Sequence, residues 1–152
     1  MIDFKKLRDI REDNDLNQRK MAKILHVKRS TYSLWELGIN IIPLEKLCEF
    51  ADYFNYSIDY VLGLSRKRNT KRISHGIDFL VLGKKIKKIR IQNNLSQEDL
   101  GNILGVTQAC IAKYEKGIIQ ISTSNLYKIS KKFNISLDEL CNKEEITITS
   151  NL

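Results

Sequence analysis

The apolar residues of this chain recur every three or four positions, which is the period of an amphipathic helix. Leu82, Ile86 and Ile89 fall on one such stripe, and they predict a helix over roughly residues 80–93. Four lysines of the same segment lie largely off the stripe: Lys84, Lys85, Lys87 and Lys88. The pattern continues through most of the chain, so we expect an all-α protein.

Polar residues and glycines at the ends of these stripes predict where helices begin and end. Ser96 precedes an apolar run and is followed three positions later by Asp99, which resembles a capping box. Thr107 is a good N-cap residue for the next helix. Gly105 and Gly117 follow the last apolar residues of these two stretches, where a chain reversal needs a left-handed residue.

The hydrophobic pattern of the N-terminal half repeats in the C-terminal half at an offset of 79 residues. Residues 4–64 align with residues 83–143 without a gap, and 19 of the 61 pairs are identical. We therefore predict two copies of one domain of about 60 residues, a size that can fold alone. The predicted division is a first copy at 1–64, a basic linker at 65–78, a second copy at 79–143 and a tail at 144–152.

Each copy is predicted to contain five short helices, of which the second and third are separated by a tight turn. The segment LSQEDLGNILGVTQACIAKYEKG, residues 95–117, resembles the helix-turn-helix of the Cro/CI-type, XRE-like and lambda-repressor-like regulators. The segment LNQRKMAKILHVKRSTYSLWELG, residues 16–38, resembles the same pattern. The resemblance implies an all-α fold of two tandem five-helix helix-turn-helix domains, with double-stranded DNA as the partner.

The family docks its third helix in the major groove with the N-terminal end first. By that resemblance, the base-contacting residues of the second copy are Gln108, Ala109 and Lys113, and those of the first copy are Arg29 and Ser30. Glutamine pairs with adenine, lysine and arginine with guanine, and an alanine methyl contacts a thymine methyl. The first copy departs from the family pattern at three positions: His26, Lys28 and Leu34.

The resemblance and the basic charge also indicate residues for the DNA backbone. The glutamine that opens the second helix bonds a phosphate in this family and braces the third helix. The residues predicted to contact phosphate are Gln97, Gln18, Thr107, Lys28, Lys116, Arg66 and Arg68. The basic run that includes Arg66 and Arg68 has two interpretations, a solvated linker or an arm that follows phosphates or enters the minor groove.

Two arginine and glutamate pairs recur at the same positions of both copies. They are Arg11 with Glu36 and Arg90 with Glu115. In the family this pair is a partly buried ion pair that ties the first helix to the end of the third. We therefore expect a structural role for these four residues and no base contact. The aromatic residues that precede the glutamates are expected to pack in the core.

Composition excludes several other classes of protein. The 152 residues have a formal net charge of +8, which favours a polyanionic partner. That excess lies in the linker and the second copy, because residues 1–65 hold ten basic and ten acidic side chains. We expect no transmembrane helix and no signal peptide. Three cysteines without CxxC spacing favour a cytoplasmic location and predict neither a disulfide framework nor a metal site.

The sequence predicts a sequence-specific DNA-binding transcriptional regulator that acts as a repressor, without enzymatic activity or cofactor. Two copies in one chain allow either an intramolecular pseudo-dimer or a homodimer on DNA. The alternative is a protein-interaction module, antitoxin-like or a phage-encoded inhibitor, with its partner on the first copy. An exposed apolar patch would favour it, and the candidates are Leu34, Ile39 and Ile41. A third option is non-specific nucleic-acid binding driven by charge.

Overall fold

The computed structural model describes residues 2–69 and 76–143, and these residues form ten helices. The predicted all-α fold is confirmed. The chain divides into two compact units, residues 1–71 and 72–152, and each unit holds five helices. The dividing point lies inside the segment predicted as the linker. The predicted tail, 144–152, lies outside the described residues. In the described part of the chain, no helix has the length and apolar character that crossing a bilayer requires.

The first unit packs its helices around one apolar core. Its helices are α1 Lys5–Asp13, α2 Gln18–Ile24, α3 Arg29–Glu36, α4 Leu44–Phe54 and α5 Ile58–Val61. Leu7 of α1, Met21 of α2, Tyr32 of α3 and Leu47 of α4 are fully buried. These side chains occupy the apolar stripe of each helix, and their burial from water is the main force that holds the short helices together.

The second unit repeats this arrangement with a longer first helix. Its helices are α6 Phe79–Gln92, α7 Gln97–Leu104, α8 Gln108–Glu115, α9 Thr123–Phe133 and α10 Leu137–Cys141. Ile86, Leu100, Ile111 and Leu126 take the core positions that correspond to Leu7, Met21, Tyr32 and Leu47 in the first unit. Helix α6 starts at a side-chain cap, because the Asp78 carboxylate accepts hydrogen bonds from the backbone N–H groups of residues 80 and 81.

The predicted helix ends of the second copy are confirmed. The Ser96 hydroxyl accepts from the Asp99 backbone N–H at 3.0 Å, and the Asp99 carboxylate accepts from the Ser96 N–H at 2.8 Å. The Thr107 hydroxyl accepts from the backbone N–H of residue 110 at 3.2 Å. Gly105 ends α7 with φ +72°, and in the first copy His26 adopts φ +55° at the matching position, where a side chain adds strain.

Of the four α6 lysines, which the pattern predicts to lie largely off the apolar stripe, one does not face solvent. Lys85 is buried, and its ammonium donates to the backbone carbonyls of Glu139 at 2.8 Å and Asn142 at 2.5 Å. The last carbonyls of a helix lack partners within the helix, so a cation can satisfy them. Burial of Lys85 thereby joins α6 to the end of α10, whereas Lys84, Lys87 and Lys88 are exposed as expected.

Candidate nucleic-acid interface

The third helix of the first copy is held at its C-terminal end by an arginine from α1. The Arg11 guanidinium donates to the two carboxylate oxygens of Glu36, from Nε at 2.6 Å and from Nη2 at 3.1 Å. Nη1 of the same group donates to the Leu16 carbonyl at 2.7 Å. Both side chains are buried, so a parallel two-bond pair replaces their hydration and fixes the angle between the helices.

The second copy has the same arrangement at the matching residues. Arg90 Nε lies 2.5 Å from Glu115 Oε1, and its Nη2 lies 3.2 Å from Oε2. Its Nη1 donates to the Leu95 carbonyl at 2.9 Å. We call these two sets of residues the charged frames of the two copies, each built from an arginine of the first helix and a glutamate of the third.

The glutamine that opens the second helix completes each frame. Gln18 Nε2 donates to Glu36 Oε2 at 2.9 Å, and Gln97 Nε2 donates to Glu115 Oε2 at 3.0 Å. The structure thus ties the predicted phosphate-contacting glutamines to the glutamates of the structural pairs. Each glutamine is half-buried, so one side of its amide remains near the surface where α2 and α7 begin.

Electrostatics keeps the first frame charged. Burial by itself would raise the pKa of the Glu36 carboxyl, but the hydrogen bonds from Arg11 and Gln18 outweigh burial and hold that pKa below its usual range. The hydrogen bond to Glu36 raises the pKa of Arg11 in turn. Burial raises the pKa of the neighbouring Tyr32, and the adjacent Glu36 carboxylate adds to that shift. The pair therefore remains ionised at neutral pH.

The outward face of α8 in the second copy is polar and basic. Ile111, Tyr114 and Glu115 are the buried residues of this helix. All the residues predicted to contact DNA on or beside α8 are exposed: Thr107, Gln108, Ala109, Lys113 and Lys116. Ala109 and Lys113 lie four residues apart and so share one face of the helix. That face offers donors, a methyl group and two cations.

The outward face of α3 in the first copy has a different chemistry. Its start is exposed, at Lys28, Arg29 and Ser30. Exposure is what the predicted contacts to bases and phosphates require. Farther along, Leu34 and Leu37 replace the cations Lys113 and Lys116 of the second copy. Leu34 is half-buried, whereas Leu37 is 67% exposed.

Two isoleucines after α3 extend this apolar surface. Ile39 is 67% exposed and Ile41 is 47% exposed. We define the first-copy patch as Leu37, Ile39 and Ile41. Sequence reasoning proposed Ile39 and Ile41 but missed Leu37, and it included Leu34, which α3 turns partly inward. The helical period of α3, which places Tyr32 and Trp35 on its buried side, was the signal that could have shown Leu37 to be more exposed than Leu34.

The basic linker begins on the surface of the first unit. Arg66 and Arg68 are both exposed. Arg68 Nε donates to the Tyr60 hydroxyl at 3.2 Å, and its backbone carbonyl accepts from the Ser57 N–H at 2.6 Å. Lys67, between Arg66 and Arg68, is also exposed, and the last two basic residues of the run, Lys71 and Arg72, lie outside the described residues.

Sequence reasoning also missed a glycine that sets how closely α6 approaches α8. A Cβ added at Gly83 would lie 2.3 Å from the Tyr114 carbonyl oxygen and 2.7 Å from that of Glu115. Those carbonyls close the third helix, so Gly83 lets α6 cross directly over its C-terminal end. A glycine inside a predicted helix was the available signal, because it commonly marks close packing.

A metal centre finds no support in the geometry. Within residues 2–69 and 76–143, no three His, Cys, Asp or Glu side chains are grouped to hold a metal ion. Cys48 and Cys141 are buried in the two cores, and Cys110 is half-buried on α8.

Comparison with known proteins finds the same motif twice. A family model described as helix-turn-helix matches residues 7–61 and, separately, residues 86–140. These ranges contain both charged frames and both third helices. An uncharacterized HTH-type transcriptional regulator of Sinorhizobium fredii is 34% identical over 71 residues, which are 47% of this chain and 49% of the relative.

Two further relatives have assigned names. The antitoxin PezA of Streptococcus pneumoniae is 29% identical over 66 residues, which cover 43% of this chain and 42% of the antitoxin. The HTH-type transcriptional activator BcrR of Enterococcus faecalis is 37% identical over 62 residues, which cover 41% of this chain and 30% of the activator. The chain thus spans half the length, or less, of these curated relatives.

Proposed function

The chain belongs to the helix-turn-helix family, and from that premise we propose that it is a sequence-specific DNA-binding transcriptional regulator that acts as a repressor. One observation carries the proposal. In both copies the third helix is held from its buried side by a charged frame, and its first two residues are exposed. Such helices enter the major groove with that end first. Bound protein would block polymerase by occupancy, in the cytoplasm and without enzymatic activity.

Base contacts are assigned to the exposed start of each third helix. Gln108 and Lys113 supply donors that match adenine and guanine edges, and Ala109 supplies a methyl group for thymine. In the first copy Arg29 is the guanine-contacting residue and Ser30 its polar neighbour. The exposure of all five side chains supports these roles, because a base-contacting residue must be free to reach the groove.

Phosphate contacts are assigned to the flanks of the same helices. Each glutamine amide has two N–H groups, so Gln18 and Gln97 can donate to a phosphate while they brace the glutamate. The other residues assigned to phosphate are exposed: Thr107, Lys28, Lys116, Arg66 and Arg68. The frames keep these donors in place before DNA arrives, which lowers the entropic cost of binding.

The test is selection of bound duplexes from a randomised library with the full chain at physiological salt. We expect one enriched motif for the wild type. Gln108→Ala with Lys113→Ala should relax one part of that motif, and Arg29→Ala with Ser30→Ala should relax another part. Lys132→Ala, an exposed cation on α9, is the charge-matched control and should leave the motif unchanged. Absence of an enriched motif would contradict sequence-specific binding.

The sign of regulation needs a second measurement. On a template that carries the selected motif over a promoter, the wild-type chain should lower the transcript yield in vitro. The base-contact variants of both copies should restore that yield. A rise in transcript would contradict the repressor part of the proposal and would leave DNA binding intact.

The assembly on DNA follows from the two copies. Two third helices must lie about 34 Å apart to contact successive turns on one face of the duplex. A single chain can supply both as a pseudo-dimer, and a homodimer can supply one from each chain. We propose the pseudo-dimer, because both copies expose the start of the third helix. Sedimentation of the complex on one selected duplex should show one chain; two chains would contradict it.

A second candidate function is binding of a protein partner through the first copy. The first-copy patch favours it, because the exposed Leu37 and Ile41 stand where the second copy has Lys116 and Gln120, although Ile39 matches an equally exposed Ile118. A relative that is named as an antitoxin agrees with such a role. The double variant Leu37→Ser, Ile39→Ser should then lose a protein partner that the wild type binds in stoichiometric amount. The selected DNA motif should not change. A changed motif would assign the patch to the DNA interface.

A further inference from the structure

The start of the basic linker is bound to the first copy instead of leaving it. The Ser57 backbone N–H donates to the Arg68 carbonyl at 2.6 Å, and the Ser57 hydroxyl donates to the Lys67 carbonyl at 3.0 Å. Ser57 is the N-cap of α5 and is buried, so both linker carbonyls reach a fixed point of the domain. Two hydrogen bonds therefore hold the backbone of residues 67 and 68.

The side chain of Arg68 adds a third attachment. Its Nε donates to the Tyr60 hydroxyl at 3.2 Å, and its guanidinium carbon lies 5.8 Å from the centroid of the Tyr60 ring and 5.9 Å from that of Tyr56. Arginine stacks on aromatic rings more readily than lysine does. We call Tyr56, Ser57, Tyr60 and Arg68 the linker clasp.

The second copy lacks the residues for such a clasp. At an offset of 79, Tyr56 corresponds to Ile135 and Tyr60 to Glu139, so neither ring nor hydroxyl is present. There the carbonyl of Glu139 accepts from the buried Lys85 instead. The clasp therefore occurs in the copy from which the linker departs. The general five-helix fold does not require it.

We propose that Arg68 is a positioning residue that sets the length of the tether between the two copies. Ten Cα–Cα steps join Arg68 to the α6 cap Asp78, and bond geometry limits them to about 36 Å. Without the clasp the tether would begin at Ser65, whose N–H closes the end of α5 on the Asp59 carbonyl. Thirteen steps would then reach about 47 Å.

This difference has a consequence for DNA, and it rests on the proposed function. If both copies bind one duplex, the tether limits how far apart their two half-sites can lie. The clasp removes about 11 Å of reach by the same bond geometry, which corresponds to roughly three base pairs of axial rise at 3.4 Å each. Arg68 thus restricts the range of half-site spacings that a single chain accepts, and in this role its guanidinium acts through Tyr60, separately from its proposed contact with phosphate.

The first measurement tests the clasp without DNA. Amide hydrogen exchange of the Ser57 N–H, followed by NMR in the full chain, reports the bond to Arg68 directly. Arg68→Ala should accelerate this exchange several-fold. Arg66→Ala removes the same charge two residues earlier from an exposed side chain and is the matched control. It should leave the exchange at the wild-type rate. An unchanged rate in Arg68→Ala would overturn the clasp.

The second measurement tests the tether. Affinity of the full chain is measured on duplexes whose selected half-sites are moved apart one base pair at a time. Arg68→Ala should accept spacings up to about three base pairs beyond the wild-type limit, whereas Arg66→Ala should keep that limit. Equal affinity losses in both variants with an unchanged limit would overturn the proposal in favour of phosphate contacts. If the wild type selects no motif, the proposed function and the spacing role both fail, while the exchange result still decides the clasp.

Discussion

The two copies of this chain share a buried frame and differ on the exposed surface of the third helix. The same hydrogen bonds form in both frames, between Arg11 and Glu36 and between Arg90 and Glu115. In each frame the guanidinium also donates a third bond to a backbone carbonyl. The outward positions that are Lys113 and Lys116 in the second copy are leucines in the first. Substitutions at exposed positions change stability little because few packing contacts are lost there. Removal of one partner of a buried ion pair is strongly destabilising.

The difference in charge follows the same division. Residues 1–65 are neutral overall, whereas residues 82–152 have 11 basic and 7 acidic side chains. Salt-dependent attraction to phosphates is therefore concentrated in the second copy and the linker. We therefore expect the second copy to supply most of the affinity for DNA, and the first copy to contribute through Arg29 and the linker clasp.

The largest expected effect tests whether each frame stabilises only its own copy. Glu36→Gln leaves Arg11 without its buried partner and should cost about 3–5 kcal/mol, enough to unfold the first copy. Trp35, the single tryptophan of the chain, lies in the first copy, so its fluorescence during urea unfolding reports that copy alone. Glu115→Gln is the matched variant and should leave the Trp35 transition in place. A shift of the transition in both variants would show that the copies unfold together.

The next effect concerns packing that only the second copy has. Gly83→Ala places a methyl group against the Tyr114 carbonyl and should destabilise the second copy by about 1–3 kcal/mol. Lys87→Ala is the control, because Lys87 is exposed on the same helix and its truncation should leave the unfolding transition in place. Thermal unfolding followed by circular dichroism measures both. An equal loss in the two variants would contradict the special role of Gly83.

A third experiment compares the outward faces directly. Lys113→Ala should weaken binding to the selected duplex by about 1–3 kcal/mol, or roughly 5- to 150-fold, because a lysine donor to a base edge is lost. Leu34→Ala at the matching position of the first copy should change affinity far less. Fluorescence anisotropy at one fixed salt concentration measures both variants. A comparable loss for Leu34→Ala would place an apolar base contact in the first copy.

The smallest effect concerns the start of the third helix. Lys28 makes no side-chain cap, whereas Thr107 caps the matching helix. Lys28→Thr should therefore stabilise the first copy by about 1 kcal/mol, and Thr107→Lys should destabilise the second by a similar amount. The Trp35 urea transition should move to higher urea only for Lys28→Thr. A transition that moves to lower urea would mean that Lys28 stabilises the start of α3 by another contact.

Much of the fold was accessible from the sequence because its causes are local. The Ser96 box, the Thr107 cap and the reversal at Gly105 each involve residues within four positions of one another, and all three formed as predicted. The repeat at an offset of 79 strengthened these helix assignments, because a helix predicted in one copy is also expected at the matching positions of the other. The assignment of both copies as helix-turn-helix domains came from the resemblance of residues 16–38 and 95–117 to that family, and the family match confirms it.

The misses share a different cause. Burial of Lys85, the close approach at Gly83 and the attachment of Arg68 to Tyr60 join residues that are distant in the chain or lie in the linker. The hydrophobic period places Lys85 largely off the apolar stripe, and a buried charge is costly unless it gains hydrogen-bond partners. It could not anticipate that the open carbonyls at the end of α10 would offset that cost.

The sequence by itself determined the number of copies and the helices, because capping and amphipathic period depend on neighbours along one helix. The DNA-contacting residues remain a prediction from the family resemblance. Only the tertiary structure decided which polar side chains are buried, how closely α6 crosses α8 and where the linker leaves the first copy. Those features depend on contacts between helices that are distant in the chain. The spacing of residues within one helix does not predict such contacts. The charged frames depend on both the sequence and the tertiary structure. The arginine and glutamate that recur in the two copies indicated them in the sequence, and the packing of the helices set their hydrogen-bond geometry.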